Sequence, residues 1–282
     1  MKTRVSRAKV LPLTNRGGLS IFPLGAGSAF SKKLYQNNYL IVKGEDHVMV
    51  DCGTRAPEAL SRLGRPVTDV RTWLITHSHA DHVGGLEEVM LMGRYVARRK
   101  PTVIITSQYE KVLWNFSLKG GSEFNESHDG AGLQFSDFFD IQRPSWVEGL
   151  PRETFHTRVG SLDIKAVRTR HFPEQATSWM DSAYSVGLIL DDRILFTGDT
   201  QFDPDLLEAY DALYHFEYIF HDVQFFTGGI HAGLDELATL PASLKSRMLL
   251  MHYPDSFEQH RKRVRDEGFL GFVKQGVFYD FG

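Results

Sequence analysis

Four metal-ligand side chains fall within six positions in His77-Ser78-His79-Ala80-Asp81-His82, directly after the apolar run Arg71–Thr76 (RTWLIT). That run reads as a buried strand. Its period of two turns His77 and His79 to the same side, so both imidazoles reach one ion. Asp81 and His82 fall just past the strand, where the chain turns ahead of Gly85 and presents them to a second ion. Imidazole with carboxylate suits zinc, manganese or iron and needs no thiol. The single cysteine, Cys52, forms neither a Cys-rich zinc site nor an intramolecular disulfide, which fits a reducing cytoplasm. Beside the predicted strand end at Asp51, it reads as a buried small apolar residue. A lone histidine would be read as a packed core residue, but four ligand residues at this spacing read as a metal centre.

The rest of the chain supports an ordered scaffold around it. With 282 residues, 42% hydrophobic and 24% charged, it can bury a core large enough to offset its ordering entropy. Lys plus Arg is 32 and Asp plus Glu is 35, a net charge of −3 that gives no global basic field for gripping nucleic acid. No window approaches the ~18 uninterrupted apolar residues of a membrane helix. The basic start (Lys2, Arg4, Arg7, Lys9) lacks the apolar core of an export signal and reads as a frayed, solvated terminus.

Strands are predicted at 19–24, 38–42, 47–51, 71–76, 102–106, 162–168, 184–190, 193–197, 218–221 and 248–252, with helices at 56–63, 85–92, 204–210 and 234–240. Strand runs with interspersed helices suggest one α/β domain over 1–282, its sheets sandwiched between helical layers. Residues 114–146 stand apart as an aromatic- and Gly-rich insertion, either a surface loop over a satellite core or a substrate lid or subunit contact.

The motif resembles the signature of the metallo-β-lactamase superfamily, which implies a four-layer αβ/βα sandwich with a metal site at one edge. The resemblance extends downstream to His171 at the end of RTRH, Asp199 in FTGDT and His252 in LLMHY, each at a predicted strand exit, and upstream to LGAGSA and VMVDCGT. It therefore spans roughly Leu19 to Tyr253. Carried over residue by residue, it implies two divalent ions, zinc first and manganese or iron as alternatives. His77, His79 and His171 would hold the first, Asp81, His82 and His252 the second, and Asp199 would bridge them. Such a pair brings the pKa of a bridging water to roughly 7 and leaves a small positive charge suited to an anionic substrate.

Later motifs lean toward the ribonuclease Z-like phosphodiesterase branch. His221-Asp222 follows the bridging aspartate, and His231 lies 21 residues before His252. By this resemblance His231 is the general acid, Asp222 or His221 orients it, and Asp81 completes the catalytic set. Asp222 stands where the branch usually has Glu. The alternative for His231 is a cap on the helix that follows; for His221 it is a buried supporting role. Only 27 residues separate His171 from Asp199, too few for the long basic arm of tRNA-processing members.

The expected substrate is therefore a small phosphodiester such as a cyclic nucleotide. RNA, or a carboxylic ester, thioester or lactone, are the rivals. Phe172, Gln175 and Trp179 are candidates for base contacts, with a structural role as the alternative for Trp179. Members of the branch commonly form homodimers. Gly25-Ala26-Gly27 reads as a tight turn and the basic run 261–265 as a solvated helix face. His128, His156 and His260 have no partner at ligand spacing.

Overall fold

Runs that are apolar at every position, such as LSIFP and VGLIL, form strands buried along their whole length. The computed structural model describes residues 1–5 and 9–282, so Arg7 of the basic start lies outside the described residues. The chain divides into two units, one comprising residues 1–25, 35–144 and 276–282, the other 26–34 and 145–275.

In the first unit, β1 (Lys2–Val5), β2 (Leu19–Pro23), β3 (Tyr39–Lys43), β4 (Asp46–Val50), β5 (Thr72–Leu74) and β6 (Thr102–Ile104) are followed by a small hairpin of β7 (Ser127–His128) and β8 (Ala131–Gly132), and then by β9 (Asp140–Gln142). The second unit holds β10 (Ser145–Trp146), β11 (Thr154–Val159), β12 (Leu162–Arg168), β13 (Val186–Leu190), β14 (Ile194–Phe196), β15 (Tyr218–Asp222), β16 (Met248–Met251) and β17 (Gly271–Phe272). The chain closes with β18 (Val277–Phe281), which returns to the first unit between β1 and β2.

Each unit carries one eight-stranded mixed sheet. In the first, the order β1-β18-β2-β3-β4-β5-β6-β9 is antiparallel as far as β4 and parallel from β4 to β9. In the second, β10 to β14 are antiparallel and β14 to β17 parallel. Strands β12, β14, β15 and β16 consequently run the same way, and their carboxyl ends share one edge. Open sheets with parallel strands bind ligands outside such ends.

Two expectations change. The N-terminus is not frayed: Lys2–Val5 pairs with β18 across Lys2–Asp280 to Val5–Val277, although its side chains are exposed. The helix expected at 204–210 runs Pro204–Tyr214, capped at its start by Asp203 and closed by His215 in the left-handed region rather than by a glycine. The segment 114–146 is built from short helical turns, the β7–β8 hairpin and β9. Trp114, Phe135, Phe138 and Phe139 form a buried cluster there, whereas Phe116 and Phe124 are exposed.

Candidate metal centre

Strand β5 ends at Leu74, so the histidine motif lies beyond the strand, on an extended segment that enters the short helix Ala80–Val83. His79 is the extended residue before that helix, and Asp81 and His82 sit within it. The pairing anticipated from strand periodicity survives this change. His77 Nε2 and His79 Nδ1 lie 2.9 Å apart, and His82 Nε2 is 3.2 Å from Asp81 Oδ2. His77, Asp81 and His82 are buried, and His79 is half-buried. Imidazole nitrogens and a carboxylate oxygen gathered in this way are groups that could hold a metal ion.

The sequence reading missed Asp51. It terminates β4 with φ +65°, accepts hydrogen bonds from Thr76 N (2.7 Å) and Thr76 Oγ1 (2.8 Å), and meets His82 Nδ1 at 2.7 Å. Burial pushes its carboxyl up, against the opposing charge and hydrogen bonds of His82 and Thr76. Asp51 therefore fixes the ring of His82, as partners behind metal-bound histidines do. Its one legible signal was a buried acid at a strand end in VMVDCGT. Asn38 Nδ2 holds the Asp81 carbonyl at 3.0 Å, and Asn38 Oδ1 accepts from Gly53 N at 2.8 Å. A Cβ on Gly53 would come within 2.1 Å of that same Asp81 carbonyl oxygen, so the approach requires glycine.

In the second unit the shared sheet edge gathers the other candidates. His171 follows β12, Asp199 follows β14, Asp222 ends β15 and His252 follows β16. Asp199 Oδ2 lies 3.3 Å from His252 Nε2 and 4.0 Å from His171 Nε2. His171 Nδ1 is fixed by the Ile230 carbonyl at 2.7 Å. His252 adopts φ +56°, and Gly198 before Asp199 has φ +62°, with the Val186 carbonyl 2.6 Å from any added Cβ. Backbone held in this region at ligand positions is a mark of function.

Asp199, Asp222, His231 and His252 each offer a ligand atom within 4.8 Å of the others. His231 Nδ1 is 2.8 Å from Asp222 Oδ2, and its ring stacks on His252 with centroids 4.5 Å apart. Asp222 is buried, which raises its carboxyl pKa, but hydrogen bonds and charge from His221 and His231 outweigh burial and hold it below the usual range. His221 is buried with Nδ1 2.8 Å from the Asp222 carbonyl, a supporting position rather than a reacting one. The helix Leu234–Ala238 is capped by Gly233 and Glu236, so His231 is not its cap.

The remaining candidates have structural partners. Arg168 Nη2 donates to the Trp179 carbonyl at 3.3 Å, and its guanidinium lies 5.9 Å from the indole. Phe172 packs edge-on to His171, and Gln175 is exposed. The 261–265 run lies on the helix Arg261–Asp266, tied by Lys262–Asp266 and Arg263–Asp235 ion pairs. Cys52 is buried, His156 pairs with Asp163, and His260 stacks on Phe225. The side chain of His128 lies outside what is described. Among the described residues, no helix is long and apolar enough to cross a membrane.

Two mixed eight-stranded sheets with helices define a protein of the metallo-β-lactamase fold. The fold is shared with a diphosphatase of the PhnP family (TM-score 0.67, 15% identity, 94% of this chain and 98% of that one). It is shared also with YhfI from Bacillus subtilis, described as a metallo-β-lactamase fold protein (TM-score 0.64, 13% identity, 94% and 100%). The short form of human tRNase Z aligns at TM-score 0.59 and 14% identity over 92% and 98%.

Within that class the chain belongs to the Anti-Pycsar protein Apyc1 family, whose sequence profile matches residues 19–279. It is 35% identical over 269 residues to the Apyc1 protein of Bacillus phage 010DV004, covering 94% of this chain and 99% of that protein. The Apyc1 protein of Paenibacillus sp. (strain J14) is 35% identical over 258 residues, covering 91% and 96%.

Proposed function

We propose that the protein is a dinuclear-metal phosphodiesterase that opens a small phosphodiester, a cyclic nucleotide first among them. The observation that carries this reading is the pairing of buried Asp222 with half-buried His231, at 2.8 Å, beside Asp199 and His252. Breaking a phosphodiester expels a ribose oxygen of high basicity, and a general acid lowers that barrier. A thioester expels a thiolate that needs no such help.

The donor set fits a pair of divalent ions. His77, His79 and His171 would hold one, Asp81, His82 and His252 the other, with Asp199 common to both. All seven offer imidazole nitrogen or carboxylate oxygen, the set that zinc, manganese and iron accept. When bound, such ions supply Lewis-acid stabilisation of charge developing at phosphorus and acidify water.

The chain's own residues do the rest. Asp222, held as carboxylate, fixes the His231 ring through Nδ1 and stabilises the imidazolium, which leaves Nε2 to carry the transferable proton. As a water oxygen bonds to phosphorus and releases a proton to solvent, the P–O bond to the ribose breaks and the His231 proton passes to the leaving oxygen. The phosphate remains as a monoester, and the imidazole recovers its proton from solvent. The short connection from His171 to Asp199 and the balanced charge favour a small substrate over a structured RNA.

The test is a panel with metal-loaded protein: 3′,5′-cyclic mononucleotides, a short single-stranded RNA, a precursor tRNA and a thioester, each with an Asp199→Ala control. Ring opening that vanishes in the control supports the proposal. Cleavage of RNA alone, or of the thioester alone, overturns it.

A further inference from the structure

The metal ligands of the first unit lie at the carboxyl ends of β4 and β5, and the opposite ends of the same parallel strands carry different chemistry. His47 is the second residue of β4, Arg71 precedes β5 and Arg99 lies three residues before β6. With Thr14, Arg65 and Asp69 they line a cavity of about 480 Å3. Six residues from Arg71 to His77, at ~3.3 Å each when extended, set it up to roughly 20 Å from the motif.

The three guanidinium groups are placed chiefly by backbone carbonyls. Arg65 Nε donates to the Leu11 carbonyl at 2.7 Å, Arg71 Nη2 to the Glu45 carbonyl at 2.7 Å, and Arg99 Nη2 to the Thr68 carbonyl. A carbonyl fixes a guanidinium without cancelling its charge. Asp69, which accepts from Arg65 Nη1 at 3.1 Å, is the one carboxylate in the lining. Three fixed positive charges therefore face one negative charge, in a concavity and on arginines already oriented.

His47 braces Arg71 from behind. The Arg71 N–H donates to His47 Nε2 at 3.0 Å, which leaves the ring proton on Nδ1, buried against the Leu13 backbone. Burial and then the charge of Arg71 bring this histidine down to about 4, so it stays neutral at physiological pH.

We propose that this cavity binds a phosphate-bearing anion, gripped by Arg65, Arg71 and Arg99. Guanidinium matches phosphate oxygens in bidentate geometry, and a net positive lining excludes cations. The volume admits a phosphate ester as well as free phosphate. The site is separate from the metal centre, and its occupancy does not depend on the activity proposed above.

Arginine footprinting with phenylglyoxal on the metal-loaded full chain, mapped by peptide mass spectrometry, tests it in two arms. Inorganic phosphate and a nucleoside 5′-monophosphate are each compared with acetate at equal ionic strength. Protection of Arg71 and Arg99 by phosphate, with exposed Arg62 and Arg158 modified as before, is the expected result. Stronger protection by the nucleotide identifies an ester as the ligand. No protection, or equal slowing at all four arginines, overturns the proposal.

As a second measurement, calorimetry on an Arg71→Ala/Arg99→Ala protein should show phosphate affinity at this site reduced by about tenfold or more, with cyclic-nucleotide turnover unchanged. Losing two charge-assisted contacts sets that scale. Phosphate binding identical to the unaltered protein would place the anion elsewhere and refute the assignment.

Discussion

Replacing Asp222 with Asn preserves shape and removes charge from the one group that links the candidate acid to the protein frame. Asp222 Oδ2 faces His231 Nδ1 at 2.8 Å and accepts from Thr200 N at 3.2 Å, in a fully buried setting. A hydrogen bond to a charged partner is worth about 1.5–3 kcal/mol. If that increment is realised as the imidazolium acts, kcat falls roughly 10–150-fold.

The loss should depend on the leaving group. A 3′,5′-cyclic mononucleotide expels a basic ribose oxygen and should suffer the full fall. Bis(p-nitrophenyl) phosphate expels a stable phenolate and should be nearly unaffected. Metal content, read by elemental analysis, should stay as in the unaltered protein. An equal fall on both substrates, or no fall on either, would refute the assignment of this pair to proton transfer.

Asp51→Ala removes the brace behind His82 and should lower metal affinity about 10–100-fold, measured by competition with a chromogenic chelator. Leu188→Ala, at a fully buried position in the middle of β13, should cost about 2–5 kcal/mol in urea unfolding. Asp211 lies below the usual carboxylate range because Arg247 hydrogen-bonds it through both oxygens at 2.8 Å, partly opposed by burial. A lowered carboxyl stabilises above its unfolded pKa, and that stability is lost as pH falls through the native value. Asp211→Asn should therefore cost about 1–2 kcal/mol at pH 7. In acid the gap between the two proteins should close, and a gap that persists there would contradict this.

The candidate metal ligands stood out in the sequence because coordination chemistry restricts residue type and spacing more tightly than packing does. Four ligand-type residues fall in six positions, and His171, Asp199 and His252 each lie just past a strand. The core strands were legible for a related reason, since β2, β13 and β16 are buried at every position. Elements fixed by distant partners were not legible. Lys2–Val5 has no apolar face and becomes a strand only by pairing with residues some 270 positions later. Asp51 read as a strand terminator because its role depends on Thr76 and His82, which approach only when β4 and β5 align. The helix after Pro204 was cut short because its stop is His215 in a left-handed turn, a signal that glycine usually gives.

The central claim, attack at phosphorus by a chain that supplies both metal ligands and a general acid, is tested most directly by hydrolysis of a 3′,5′-cyclic mononucleotide in 18O-labelled water. Metal-loaded protein should yield a monophosphate with the label in the phosphate and none in the ribose hydroxyl, and Asp199→Ala should yield neither product nor label. Label in the ribose, or product formed equally by Asp199→Ala, would contradict it.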